Sequence, residues 1–518
     1  MHFVKYIIDQ INLPLGIHMK NKLIVSCLLL FLIFSACTKP TSIEDTGVFS
    51  PSSSSSGFAS DDYSSDLIPS ARSVLEEQPG MTRYTVSLFV EEDYQHLQGQ
   101  ESVLYTNREA VPLSEIYFRL FPNNSGDYLT ITCIIVDDVD LEPVLESANT
   151  ALRLELPEIL EPGQSTLIEL EFELTVPSDF HGNYGLFVYY DNILALDQWM
   201  PIIPVYDDEG WNVEVPPTNG DLPFTDVSLF RVEVNAPQDA VIVVTGVKTG
   251  SRSEDNRKVE SFVAGPNRDF YLALSPDFEV LQSKIGDTLI NSYALPDFQS
   301  ASEKVLLFAE NAIRIFSENF GLYPYTEIDL VSTPMHGALG MEYSGVSAIS
   351  IDLYDLDAIF YGQPARVMLE LALAHEVAHQ WFFNAVGSDQ VDEPWLDEGM
   401  AQYLTNLYYQ AVNGEDAAAN YRFNSWEYSW LKISREEIPI GRGSADYTDR
   451  EYQPIIYGRA PLFILTLQQE MGDEKFGQFL KQYYTTYQWG IADTEGFRSV
   501  AEQVCECDLS EVFSQWVY

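Results

Sequence analysis

The sequence predicts an α+β chain in which a β-sandwich or saddle precedes a mainly helical half. Strict alternation runs through Tyr84-Thr85-Val86-Ser87-Leu88-Phe89-Val90 and Ser165-Thr166-Leu167-Ile168-Glu169-Leu170-Glu171-Phe172-Glu173-Leu174, the period of half-buried strands. From about residue 296 the period changes: Val305, Phe308, Ala309, Ala312, Ile315 and Phe316 recur at helical spacing. Composition supplies the third observation. A chain of 518 residues with 46% hydrophobic and 13% aromatic residues buries a large core, which excludes a disordered or collagen-like polymer.

The chain opens on an address. Met19-Lys20-Asn21-Lys22 is a short basic region, and residues 23–34 form an apolar run of twelve, too short for a membrane-spanning helix. Phe34-Ser35-Ala36-Cys37 then sets small residues before a cysteine, similar to a bacterial lipobox. That similarity implies cleavage after 36 and lipid attachment at Cys37, hence an extracytoplasmic, membrane-anchored lipoprotein. An ordinary cleaved signal and an uncleaved anchor stay open. Residues 37–79, with the run 52–56 of serine, read as a flexible tether. Residues 80–295 then form the β domain, with Phe230-Arg231-Val232-Glu233-Val234 continuing its texture, and 296–518 the catalytic domain. In the latter, helices are expected over 364–386, 394–412, 462–471, 474–487 and 496–504. Cys505 and Cys507 stand too close for an ordinary structural bridge.

Acidic residues outnumber basic ones 78 to 28, a formal charge of −50. Such a surface repels phosphate, so nucleic-acid binding and adhesion to anionic headgroups are excluded as functions. The chemistry lies elsewhere. With only seven histidines in the chain, His375-Glu376-Val377-Ala378-His379 is a specific pattern. Residues four apart share a helix face, so both imidazoles reach one metal ion, with Glu376 beside it. Eighteen residues intervene before Glu398, in Trp395-Leu396-Asp397-Glu398-Gly399, which an antiparallel return brings back to the histidines. Two histidines and one glutamate leave a tetrahedral position open, the arrangement of a catalytic site for one Zn2+. There zinc acidifies a water, Glu376 takes its proton, and the proton passes to the amine leaving a cleaved amide.

His375-Glu376…His379…Glu398 resembles the gluzincins, and its surroundings resemble the aminopeptidase N family with its leukotriene hydrolase-like members. Gly340-Met341-Glu342-Tyr343 is similar to that family's Gly-x-Met-Glu-Asn, with Tyr343 in place of Asn. Tyr323-Pro324-Tyr325 and Asp329-Leu330-Val331 are similar to the lead-in, and Ile456-Tyr457-Gly458-Arg459-Ala460 to a Tyr-x-Lys-Gly element in which Arg459-Ala460 replace Lys-Gly. The resemblance spans residues 80–518. It implies a β-saddle followed by a thermolysin-like domain, and aminopeptidase action on peptides with a free N-terminus. It further implies that Tyr457 stabilises the oxyanion and that Gly340, Met341 and Glu342 bind substrate. Gln198, before Trp199 and Pro201, is a candidate second contact to the substrate amine. The family's helical C-terminal domain has no counterpart before Tyr518, which implies a more open cleft. A thermolysin-like endopeptidase and a catalytically silent peptide-binding lipoprotein are the other readings.

Overall fold

The computed structural model describes residues 60–518 apart from 181–183, 216, 218 and 361; the expected signal, Cys37 and the serine run lie outside the described residues. Alternation governs the first half. Every second residue of the strand Arg83–Val90 is buried, and Ser165–Thr175 alternates exposed and buried throughout. Each strand therefore offers one apolar face that needs a partner layer. These strands join an eight-stranded sheet in the order Val247–Glu254, Arg257–Asn267, Ser228–Pro237, Arg83–Val90, His96–Thr106, Ser165–Thr175, Leu129–Val136 and Val139–Asp140. Only Arg83–Val90 and Ser228–Pro237 pair in parallel. Leu194, Leu196, Leu272 and Leu274 of a four-stranded sheet close this core, together with Ile116, Phe118, Leu152 and Leu154 of a three-stranded one.

The second half has its own sheet, ordered Glu279–Ile285, Thr288–Ala294, Glu327–Thr333, Val346–Ser350 and Gly340–Tyr343. Its first two strands lie before residue 295, and Thr288–Ala294 runs parallel to Glu327–Thr333. The change of texture at 295 thus falls inside this unit, where strand gives way to the helix Gln299–Asn319. That helix buries Val305, Phe308, Ala309, Ala312, Ile315 and Phe316. Gly340–Tyr343 is an edge strand, antiparallel to Val346–Ser350.

Three expectations need correction. Residues 60–79 are not tether: Tyr63, Leu67 and Val74 are buried in the core of the second half, and the Ile68 amide donates to the Pro324 carbonyl at 2.9 Å. A few apolar side chains within a polar composition suffice to dock the segment. The helix Ala365–Ala378 stops eight residues before 386. Beyond it, the carbonyls of Phe383 and Asn384 accept from the buried Arg268 at 2.7 and 3.0 Å, bonds that draw them out of a helical ladder. Cys505 and Cys507 form a disulfide, because Glu506 between them has a left-handed backbone (φ 55°) that folds the chain back to a Cα separation of 5.1 Å. Arg459, the departure from Lys in the Tyr-x-Lys-Gly element, donates to the carbonyls of Ile438, Gln515 and Trp516 and so ties down the C-terminal helix Ser510–Trp516.

Glu101 stands in the β core with both carboxylate oxygens buried and, among the described residues, unpartnered. Burial pushes its carboxyl well above the ordinary 4.5. Above that ordinary value the unfolded chain releases the proton and the folded chain retains it, so stability falls as pH rises. Glu101→Gln should therefore stabilise the protein by about 1–3 kcal/mol near neutral pH. It should leave stability unchanged well below the ordinary value. Melting curves of parent and variant at roughly pH 7.5 and roughly pH 4 measure the difference.

Candidate metal centre

Helical geometry brings the two histidines together. His375 lies in the last turn of Ala365–Ala378 and His379 caps it, one turn on and on the same face. Glu398 arrives from the wide turn Trp395–Gly399 that leads into the helix Met400–Asn413. Its Oε2 is 3.0 Å from His375 Nε2 and 3.9 Å from His379 Nε2, and the two nitrogens are 3.4 Å apart. A tetrahedral ion with bonds of about 2.0–2.1 Å holds neighbouring donors roughly 3.3 Å apart, so this triangle fits one Zn2+.

At His375 the electrostatics agree with that use. Burial pulls the His375 ring down to about 4, which leaves it neutral, the form that ligates. On His379 burial acts downward too, but Asp397, Glu342 and Glu398 outweigh it and hold the ring well above its ordinary range. Asp397 Oδ1 lies 2.7 Å from His379 Nδ1, which turns Nε2 toward Glu398. Burial raises Glu376 to about 7 against the pull of both histidines. Its Oε2 is buried and has no hydrogen-bond partner among the described residues. A carboxylate so placed is free to accept a proton near neutrality.

The structure brings most of the expected residues here. The Tyr457 hydroxyl, in the turn Ile455–Arg459, donates to Glu398 Oε1, and burial keeps the phenol protonated. Glu342 projects from the edge strand, with single donor atoms of Glu342, His379 and Asp397 within 4.8 Å of one another. Gly340 passes so close to the base that a Cβ there would stand 2.4 Å from Glu376 Oε1. Met341 is half-buried against a small core that includes Val331 and Met335. Gln198 is placed differently from its expected substrate contact: its amide donates to the buried Asp269 at 3.3 Å, and Asp269 accepts the Ser344 amide at 2.8 Å.

Four residues escaped sequence reasoning. Asp397 holds His379; its signal, a carboxylate beside Glu398, was in view without a role. Gln380 donates to the Tyr343 carbonyl at 2.8 Å and accepts from the Gly345 amide at 2.9 Å, which fixes the strand carrying Glu342 to the histidine segment. Gln390 donates to Glu342 Oε1 at 3.3 Å and to Asp397 Oδ2. Asp221, from the β half, meets Glu398 side chain to side chain, and burial with Glu398 and Asp397 beside it pushes its carboxyl well up. No local pattern marks the last two, because only tertiary folding brings their loops here.

Residues 306–516 match the peptidase family M1 domain. Aminopeptidase 2 of Candida albicans is 24% identical over 300 residues, 56% of this chain and 32% of that protein. Human endoplasmic reticulum aminopeptidase 2 is 21% identical over 383 residues, 71% of this chain and 38% of that one. The matched stretch thus spans about a third of these curated relatives. Among solved structures, a mutant M1 zinc metallopeptidase from Deinococcus radiodurans superposes with a TM-score of 0.62 at 18% identity, covering 85% of this chain and 94% of that one. The same protein bound to a Tyr-Ser-Ala substrate gives a TM-score of 0.59 at 20% identity, covering 84% and 93%. The fold of this metallopeptidase is shared over both halves, and the His375–His379–Glu398 set could hold one zinc ion.

The contact between the edge strand and Glu376 makes Gly340→Ala a direct probe of this site. The added methyl group displaces the Glu376 carboxylate and leaves the three metal donors in place. Bound zinc should stay at one per chain while peptide turnover falls roughly a hundredfold. Metal analysis and steady-state kinetics on the same preparation check both.

Proposed function

We propose that the chain is a zinc-dependent aminopeptidase that removes the N-terminal residue of peptides with a free amine. The observation that carries this reading is Glu342, a buried carboxylate on an edge strand and within 4.8 Å of the His379 ring. An edge strand pairs readily with an extended peptide, and a carboxylate at its end forms a charge-assisted hydrogen bond with an ammonium. The similarity to aminopeptidases supports it, as do the tripeptide and the amino acids L-tryptophan and L-arginine bound by the Deinococcus radiodurans and two-domain M1 structures.

Zinc bound by His375, His379 and Glu398 would supply a Lewis acid that polarises a carbonyl and acidifies water. The chain's own residues do the rest. Glu342 takes the substrate ammonium and stops the peptide one residue beyond the metal. Glu376 removes a proton from the attacking water, holds it on a carboxyl whose burial favours the neutral form, and delivers it to the departing amine. Tyr457 turns its hydroxyl from Glu398 toward the carbonyl oxygen as negative charge develops there, an effect worth about 2–4 kcal/mol. Asp397 keeps the His379 ring oriented.

A matched panel of free and N-acetylated tripeptides tests the assignment. The parent should cleave the free peptides and lose most activity on the acetylated ones, while Glu342→Ala should lose that preference with zinc still bound. Glu376→Gln should keep one zinc and lose turnover by several orders of magnitude. Efficient cleavage of blocked peptides at internal bonds would instead make the chain an endopeptidase, and no cleavage by the zinc-loaded parent would leave a peptide-binding protein.

The cellular address belongs to the same proposal. We infer from residues 19–37 that the enzyme works outside the cytoplasm, held by lipid on Cys37. Among the described residues no helix is long and apolar enough to cross a membrane. Cys37→Ser should shift the protein from the membrane pellet to the soluble or unprocessed fraction; unchanged partitioning would dismiss the anchor.

A further inference from the structure

Gln390 lies between the ammonium-binding carboxylate and the metal centre, and it is 2% exposed. Its amide nitrogen faces Glu342 Oε1 and Asp397 Oδ2, both of them acceptors. That pairing settles the orientation of the amide: the nitrogen must point at the two carboxylates, so the oxygen points elsewhere. The oxygen, Oε1, is buried and lacks a donor among the described residues. A buried carbonyl oxygen without a donor costs roughly 1–3 kcal/mol unless something else supplies one.

The groups beside the amide bear on what the donor is. Glu342, which the amide nitrogen faces, has Asp221, Asp397 and Glu376 as acidic neighbours and His379 as the nearby counterweight. A neutral donor gains little there, and an anion is repelled. A primary ammonium has three N–H groups and a positive charge, and one carboxylate satisfies only part of that set.

We propose that the Gln390 side-chain oxygen is a second acceptor for the substrate's N-terminal ammonium, beside Glu342, and that Gln390 thereby sets the preference for free amines. The inference rests on the aminopeptidase reading given above. Gln390 also fixes the direction of the Glu342 carboxylate by donating to it, so one amide both positions the primary acceptor and contributes the secondary one. The same amide reaches Asp397, which holds His379. Ammonium site and metal site are therefore set at a constant separation.

The test compares kcat and KM for a free tripeptide and its N-acetylated form in parent, Gln390→Met, Glu342→Gln and the double variant, with zinc per chain measured throughout. Methionine keeps the volume and removes both hydrogen-bonding atoms. Gln390→Met should raise KM for the free tripeptide about tenfold or more and change kcat little, with zinc at one per chain. KM for the acetylated peptide should not move. The double variant should cost less than the two single costs combined, because both residues hold one ammonium. Gln390→Asn withdraws the amide by one methylene and should act in the same direction with an unchanged melting temperature. An unchanged KM, or equal losses on free and acetylated peptides, overturns the proposal even where the parent prefers free amines. Loss of zinc in Gln390→Met and Gln390→Asn also overturns it, since the amide would then serve the metal centre alone. A parent that does not distinguish the two peptides removes the aminopeptidase reading itself.

Discussion

Five carboxyl groups converge on two histidines in this protein, and the need to balance that buried charge governs the rest of the site. Glu342, Glu376, Asp397, Glu398 and Asp221 are mutual neighbours, and each of the first, second, fourth and fifth is pushed upward by burial. Among the described residues no lysine or arginine joins the cluster. Arg268 spends its guanidinium on the carbonyls of Thr225, Phe383, Asn384 and Gly490. Positive charge must come from outside, and two sources of different size suit the two ends of the cluster. A divalent ion matches the tight His375–His379–Glu398 triangle. An ammonium is the occupant proposed for the Glu342 end, where hydrogen bonds and not coordination would satisfy it.

Holding so much like charge in place requires stiff supports, and the supports come from backbone clamps. Gln380 follows His379 directly and grips both sides of the turn after Tyr343. Asp269 grips the same turn from the β half through the Ser344 amide, with Gln198 behind it. Arg268 fixes the chain after the histidines to strand ends of the β half. The two halves share a small apolar core, in which Ile193, Val243, Tyr271 and Ala273 meet Val331, Tyr343, Val346 and Ala348, and they are joined as well by polar side chains that accept from or donate to main-chain groups. Such bonds fix direction as well as distance, which apolar packing alone does less well.

The parts of this arrangement that follow local rules were legible in the sequence. Alternation marked the strands Arg83–Val90 and Ser165–Thr175, and helical spacing marked Gln299–Asn319. The i, i+4 histidines and Glu398 were read from spacing, and Glu342 and Tyr457 from the motifs around them. What was missed depends on tertiary context. An apolar run through 386 reads as helix, yet Arg268, far off in sequence, claims its carbonyls. Residues 60–79 look like linker by composition, yet three buried side chains dock them. Gln198 sits near the right segment, but its amide is committed to Asp269. Asp221 and Gln390 have ordinary local surroundings, and their meaning comes only from the loops that fold over the metal helix.

The exopeptidase register of the proposed aminopeptidase rests on one close approach. Gly340 lies against Glu376 with no room for a methyl group, and Glu342 is two residues along the same strand. The strand that receives the ammonium and the helix that carries the base are therefore locked in contact. A peptide's amino nitrogen is about 2.5 Å from its own carbonyl carbon, two bonds away. A carboxylate within 4.8 Å of a metal-binding imidazole can hold that nitrogen while the carbonyl reaches the metal side. Each further upstream residue would need roughly 3.3–3.6 Å of additional cleft beyond Glu342. The Gln390 amide is bonded to Glu342 on one side and Asp397 on the other. Moving Glu342 to lengthen the cleft would break the first bond and leave a buried carboxylate without that donor, a cost of about 1–3 kcal/mol or more. In the proposed aminopeptidase, cleavage after a single residue thus follows from how the carboxylates are held.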